Sequence, residues 1–408
     1  MGPFVVVGLC VGLACLLVSR SLAARRISAP LIVVVAGMIV APLTGVDLTE
    51  LIDAPATEKV VELVLALLLF VDATEVRGGL FGGERSASVR LLALALPGSM
   101  ALALGLGAVL FTDLPLAVLA VIACVVVPTD LSPASTLLRD HRIPLRVRRL
   151  LNVESGYNDG IVAPIFVIAL ALIDDDGPHE STAEAVLHGI QASVVAGGVG
   201  AVVGYGGARA IRFVVDRGLA DPRGVRLAVV LLVFLSYTGA TVLSGNGFVA
   251  AFVAGIVFHA SRTAGRTVDT TELAMVEDLA VLSSTAMWFV FGATVSYLIG
   301  VGLPGWEIVV FVAAALTVVR ILPTRLALLG SDFARRDRSA VAMLGPRGSA
   351  SIVFGLLAWN EMADLDDAFF VLYVMALTVL ASILFHGVAV GRVGAGYVRA
   401  GVSAEGGS

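Results

Sequence analysis

The sequence predicts an all-α polytopic membrane protein of about 13 transmembrane helices, two of them broken inside the bilayer and placed in inverted register. Three observations carry this. The 408 residues are 58% hydrophobic and only 14% charged, with a mean hydropathy of +0.98, which no water-soluble domain of this size shows. Thirteen apolar runs are separated by short loops. Two of these runs hold a proline cluster with a charge in mid-membrane, and they lie seven runs apart.

In chain order the runs cover residues 3–20, 29–46, 57–75, 90–112, 115–138, 147–174, 184–214, 225–244, 247–261, 271–300, 304–329, 338–359 and 366–391. A span needs ~20 residues, so the longer runs imply tilted or interrupted helices. The first run lacks a basic stretch before it and is followed by Arg20, Arg25 and Arg26. It therefore reads as an uncleaved helix with its N-terminus outside. Arginines recur after every odd-numbered run, as in Arg139 to Arg149, Arg209 to Arg226 and Arg335 to Arg338. The alternate loops are acidic or neutral, as in Asp174-Asp175-Asp176 and Glu361 to Asp367. Positive charge stays inside, so a multi-pass protein of the cell membrane is expected, N-terminus outside and C-terminus cytoplasmic. The Gly-rich tail from Gly391 to Ser408 leaves no soluble regulatory domain.

The fifth run contains Val127-Pro128-Thr129-Asp130-Leu131-Ser132-Pro133, and the twelfth contains Gly345-Pro346-Arg347-Gly348-Ser349. Proline breaks the helical hydrogen-bond ladder, and free backbone groups at membrane depth persist only where they line a cavity or bind something. An odd offset of seven spans makes the two helices antiparallel, the pattern of inverted repeats that place an ion site between half-helices. Asp130 can offset the positive half-helix N-termini and Arg347 the negative C-termini.

The sixth run opens with Glu154-Ser155-Gly156-Tyr157-Asn158-Asp159. Helical spacing puts Ser155, Asn158 and Asp159 on one face, with Glu154 on its flank. A carboxylate inside the bilayer marks an ion or proton path by default. Asp72 in the third run is a further candidate, with Glu75 beside Arg77 read as interfacial. Arg320 lies deep in the eleventh run and needs an anionic partner. His259 and His386 are read as packed or interfacial, Glu277, Asp278 and Glu307 as interfacial. Cys10, Cys15 and Cys124 all fall in apolar runs and read as packing thiols. No basic patch is interleaved with aromatics, which excludes nucleic acid.

With those residues in place, the chain resembles the cation:proton antiporter-1 family of sodium/proton antiporters, over essentially its whole length. The resemblance rests on Glu154-Ser155-x-x-Asn158-Asp159, on Thr129-Asp130 in a broken helix, on Gly345-Pro346-Arg347-Gly348-Ser349-Ala350-Ser351, on Asp72, and on the helix opened by Asn246-Gly247. It implies a sodium/proton antiporter fold and a homodimer. A mobile core would take about 90–174 and 304–391, and a dimerisation part about 1–80 and 184–300. It implies that Asp159, Asp130, Ser155, the Thr129 backbone and Asp72 hold the ion and proton. It further implies that Glu154 and Arg347 form a structural ion pair, and that Asn158 braces the broken helix. Asn158 in place of an aspartate is similar to the electroneutral branch. Ser349 departs from the larger apolar residue common there, with no consequence expected.

The chemistry expected of this set is competition. A desolvated carboxylate holds a proton or a small cation, not both. Hard monovalent cations take oxygen ligands, which Asp130, Asp159, Thr129 and Ser155 supply. Exchange of one monovalent cation (Na⁺ first, with Li⁺ or K⁺ as alternatives) for one H⁺ by alternating access follows, with no cofactor beyond the transported ions and no enzymatic reaction. Two other classes fit less well. A cation channel lacks a visible filter loop, and an intramembrane aspartyl protease lacks the sequence context around its two aspartates.

Overall fold

A computed structural model of the chain describes residues 2–24, 28–52, 55–76, 79–134, 136–173, 182–263 and 270–399. Arg25, Arg26, Arg77, Arg266 and Asp174 to Asp176, used above for orientation, lie outside the described residues. A helix, or a helix broken in two, lies at each of the thirteen apolar runs, and the described residues contain no strand. Six of these helices are long and apolar enough to cross a membrane: Arg85–Leu110, Thr182–Asp216, Pro222–Val242, Ala274–Val301, Trp306–Ala327 and Leu365–Arg399. Gly2–Leu17, Ala29–Thr44, Leu116–Val126 and Gly247–Thr263 are shorter apolar helices. The protein is a multi-pass membrane protein.

The helices pack in two groups. One joins Arg85–Leu110, Leu116–Val126, Leu145–Ala171, Trp306–Ala327, Ser349–Glu361 and Leu365–Arg399. The other joins Ala29–Thr44 with Ala274–Val301, and Thr182–Asp216 with Gly247–Thr263. The helix Pro55–Thr74, which carries Asp72, touches both groups. Small residues allow the closest approaches. At Gly200 and Gly204 a Cβ would lie 2.4 and 2.5 Å from the Ala250 and Ala254 carbonyl oxygens. The Gly247–Thr263 helix starts where its sequence says it should, because the Asn246 side chain accepts from the Phe248 and Val249 N–H groups at 3.0 and 3.2 Å.

Three features go beyond the sequence reading. Leu91–Ala95 forms a π turn just ahead of Pro97, where the ring cannot donate to the residue four back. The eleventh run divides at Thr317 into Trp306–Leu316 and Val318–Ala327. The Thr317 hydroxyl donates back to Ala313 O at 2.6 Å, and Pro323 leaves the Val319 carbonyl without its helical donor. The Ser99 hydroxyl takes that carbonyl at 2.8 Å. Finally, the last helix runs to Arg399, past the Gly391 at which a tail is expected. Tyr397 anchors it: the ring is buried, its hydroxyl donates to Asp337 Oδ1 at 2.6 Å, and the Arg336 guanidinium lies 4.4 Å over it.

Candidate functional site

The two breaks meet. Leu116–Val126 ends short of Pro128, and the chain runs without helix through Asp130 before the turn Ser132–Ala134. Arg335–Met343 likewise ends, and Leu344 to Gly348 run extended before Ser349–Glu361 begins. The two segments are joined by the Asp130 N–H, which donates to Pro346 O at 2.8 Å. Each break leaves helix-end carbonyls and amides without partners, and charged side chains take them.

Asp130 serves the amides. Its Oδ2 accepts from the Ser349 N–H at 2.8 Å, the first residue of the second half-helix, and from the Ser349 hydroxyl at 2.9 Å. The Ser132 hydroxyl donates to the same oxygen at 2.8 Å, and the Ser132 N–H to Oδ1 at 2.7 Å. Gly348 makes this possible, since a Cβ there would sit 2.1 Å from Asp130 Oδ2.

Arg347 serves the carbonyls. It is 1% exposed. Its Nε donates to Val126 O at 2.6 Å, at the end of the first half-helix, and its other nitrogens donate to Gly345 O and to Ala315 O, the latter at 3.5 Å. A cation against helix C-terminal carbonyls is favourable. Glu154 and Arg347 therefore do not form the expected ion pair. Glu154 is bound bidentately by Arg320, through Nη1 to Oε1 and through Nη2 to Oε2 at 2.8 Å. The reason is reach and demand. Arg347 sits in the extended segment among free carbonyls, whereas Arg320 lies on the Val318–Ala327 helix and would otherwise be a buried charge without a counter-ion.

The helix Leu145–Ala171 supplies the remaining groups. Asn158 Nδ2 donates to Thr129 O at 2.9 Å and to Thr129 Oγ1 at 2.8 Å, and so holds the break open. The Leu131 N–H donates to Ser155 Oγ at 3.0 Å. Asn158 and Asp159 are each 2% exposed. One side-chain oxygen of each, Asn158 Oδ1 and Asp159 Oδ1, is buried with no hydrogen-bond partner. Asp159 is close enough to Asp130 and Arg347 for their charges to act on it. Asp72 is in electrostatic range of both Asp130 and Asp159. Its helix packs hard on this one: a Cβ on Gly156 would lie 2.7 Å from Asp72 O.

Sequence reading missed a support behind the second break. His386, 3% exposed, accepts from the Gly345 N–H at Nε2 (3.3 Å), and its Nδ1 lies 2.9 Å from Ser382 O. The Ser382 hydroxyl in turn accepts from the Arg347 N–H at 2.8 Å. A serine and a histidine four apart on one apolar helix give a single polar face, which was the signal available. Ser349 was legible as unusual, yet its hydroxyl bonds Asp130 directly. Cys15 and Cys124 are buried, while Cys10 is exposed on its helix.

A buried carboxylate oxygen without a donor, beside freed backbone and hydroxyl oxygens at a double helix break, is an arrangement that can take up a proton or a cation. Residues 9–395 match the family model for the sodium/hydrogen exchanger transmembrane region. The chain belongs to that family, one of transporters. Curated relatives include the K(+)/H(+) antiporter NhaP2 of Shewanella oneidensis, 24% identical over 272 residues, which are 65% of this chain and 45% of the relative. Another is the K(+)/H(+) antiporter NhaP of Alkalimonas amylolytica, 26% identical over 255 residues, covering 61% of this chain and 41% of that protein. The chain thus spans less than half the length of the curated relatives it matches. Its fold is similar to that of the sodium proton antiporter MjNhaP1 from Methanocaldococcus jannaschii. The TM-score is 0.75 at 16% identity, over 94% of this chain and 98% of the other.

Proposed function

We propose that this protein is a secondary antiporter that exchanges a monovalent cation for H⁺ across the cell membrane, electroneutrally and 1:1. The observation that carries the reading is the pair of buried, unpartnered oxygens, Asp159 Oδ1 and Asn158 Oδ1. A buried acceptor without a donor is costly. A desolvated cation or a carboxyl proton removes that cost, and the two exclude each other. Asp159 is the group that exchanges them. Asp130, Ser155, the Thr129 oxygens and Asp72 complete the oxygen set, while Asn158, Glu154, Arg320 and Arg347 hold it in place.

In the working cycle the helices from about 90–174 and 304–391 form the mobile core. Those from about 1–80 and 184–300 form the dimerisation part of a homodimer, with the N-terminus outside and the C-terminus cytoplasmic. The core carries its ions between faces by rocking against that part, as fixed-site transporters do. Na⁺ is the first choice of cation. K⁺ is the alternative, favoured by the names of the curated relatives. The test is pH-dye fluorescence in proteoliposomes with an inward proton gradient. Addition of NaCl or KCl is expected to dissipate the gradient. A purified, folded protein that leaves the gradient intact with every alkali chloride overturns the reading.

A further inference from the structure

The partners of His386 fix the tautomer of its ring. A backbone N–H can only donate, so Nε2, which takes the Gly345 N–H at 3.3 Å, carries no proton. Nδ1 therefore holds the proton and donates to Ser382, whose carbonyl oxygen lies at 2.9 Å and hydroxyl oxygen at 3.2 Å. Both ring nitrogens are donors in the charged form. A second proton would set an N–H against the Gly345 N–H and end that bond. We propose that His386 is a proton-sensitive positioning residue: its neutral ring holds the second break in the geometry the ion site works in, and a second proton releases the break and slows exchange. This deepens the antiport reading above and rests on it.

The hold reaches the site by two short routes. Gly345 is wedged between Arg320 and Thr129: a Cβ there would lie 2.5 Å from Arg320 Nε and 2.9 Å from Thr129 Cγ2. A shift of Gly345 therefore pushes on the residue that Asn158 grips. One turn before His386, the Ser382 hydroxyl accepts from the Arg347 N–H at 2.8 Å, and Arg347 Nε donates to Val126 O at the end of the first half-helix. The released ring has another partner, since the Met343 carbonyl at the end of the Arg335–Met343 helix lies within its reach. The charges that face the ring are Arg347 and Arg320, so a protonated imidazole would stand as a third cation in this corner. Leu116–Val126 adds the Cys124 thiol, and the Asp130 carboxylate ahead of the turn Ser132–Ala134 is taken up by Ser132 and Ser349. Glu307 and Glu361 lie at the opposite ends of Trp306–Leu316 and Ser349–Glu361 from the second break. Ala274–Val301 meets the long helix where Tyr297 stacks on Phe369, more than about four turns from the ring.

The experiment follows cation-driven proton movement in proteoliposomes from about pH 5 to about pH 8, the range in which histidine changes charge. NaCl and KCl are each varied, for wild type, His386→Gln and His386→Ala. Protons compete with the cation at Asp159, so acid should raise the apparent KM in all three proteins. The ring acts on the maximal rate instead. Wild type is expected to lose maximal rate by roughly three- to tenfold toward acid, the scale of one hydrogen bond. His386→Gln offers an acceptor to the Gly345 N–H and cannot titrate, so its maximal rate should stay level. His386→Ala offers no acceptor and should be slow at every pH, without the acid loss. A wild type that keeps its maximal rate in acid, or an acid loss of wild-type size in either variant, overturns the role of His386. ¹⁵N NMR of histidine-labelled protein tests the tautomer without transport. The signal missing from His386→Gln should be that of a neutral ring protonated at Nδ1 near neutral pH, and a ring protonated at Nε2 overturns the proposal. A folded wild type that responds to neither salt overturns the exchange reading itself, while the NMR signal still decides the state of the ring.

Discussion

Glu154 and Arg320, 166 residues apart in sequence, form a buried bidentate ion pair between the Leu145–Ala171 and Val318–Ala327 helices. Both side chains are over 90% buried. Arg320 Nη2 also donates to Val341 O at 3.1 Å. The pair therefore ties the helix that carries Asp159 both to the divided eleventh span and to the helix that precedes the second break.

Removing one partner of such a pair leaves an uncompensated buried charge, which costs about 3–5 kcal/mol. Glu154→Gln and Arg320→Met should each lower the melting temperature in detergent sharply. The double variant should lose less than the sum. Glu154→Gln combined with Arg347→Ala should instead come close to additive, because those two side chains hydrogen-bond different partners. Strong coupling between positions 154 and 347 would contradict the geometry.

Asp159→Asn removes the charge at the buried unpartnered oxygen and keeps the shape. Cation-driven proton movement should disappear while size-exclusion behaviour and melting stay near wild type. Retained exchange in the folded variant would remove Asp159 from the centre of the mechanism.

Asn158→Ala deletes both hydrogen bonds to Thr129 and leaves a backbone carbonyl exposed to nothing. Each lost partner costs about 1–3 kcal/mol when its mate stays buried. The expected result is a clear fall in melting temperature together with a fall in transport rate. Wild-type values for both would mean that the break holds itself open without Asn158.

His386→Ala removes the acceptor for the Gly345 N–H behind the second break. It should reduce stability by roughly 1–3 kcal/mol, and His386→Gln, which can place an amide oxygen at that N–H, should recover part of it. Equal losses in the two variants would show that the imidazole contributes volume alone.

Charge balance gives a further expectation. In the proposed cycle Asp159 is the exchanging carboxylate and Asn158 beside it carries no charge, so one proton is expected to replace one monovalent cation. Transport should not respond to voltage, although a net charge would feel ~2.3 kcal/mol per 100 mV. Solid-supported-membrane recordings should show no sustained current on a sodium jump. A sustained current absent from Asp159→Asn would bring in a second proton, with Asp72 the nearest candidate carrier.

Much of this was legible in the residues. Pro128, Pro133 and Pro346 announce the two breaks because a ring nitrogen cannot donate, wherever it sits. Asp130 and Arg347 announce their roles because a half-helix end needs the opposite charge. The pairing of Glu154 was not legible, since two arginines lay within plausible reach and only packing decides which helix face meets which. The break at Thr317 was hidden because a threonine in an apolar run has no fixed effect on a helix until Pro323 and Ser99 are placed around it. His386 and Ser382 mark a polar face on an apolar helix but not what it meets; the backbone that they support is in place only once both breaks have met. Ser349 was visible as an oddity, but its use depends on where a residue 219 positions away folds back.

The helix Leu365–Arg399 has 35 residues and is therefore roughly 50 Å long, against a hydrocarbon layer of roughly 30 Å. It cannot be contained in the bilayer. Its Tyr397 end is clamped to Asp337 and Arg336, beside the start of the Arg335–Met343 helix. Ser382, which with His386 supports the second break, lies at the midpoint of this rod, roughly 25 Å from its Arg399 end. One continuous helix thus joins the backbone of the second break to the Tyr397 clamp, so a spectroscopic label near Arg399 is expected to report a displacement of the break from roughly 25 Å away.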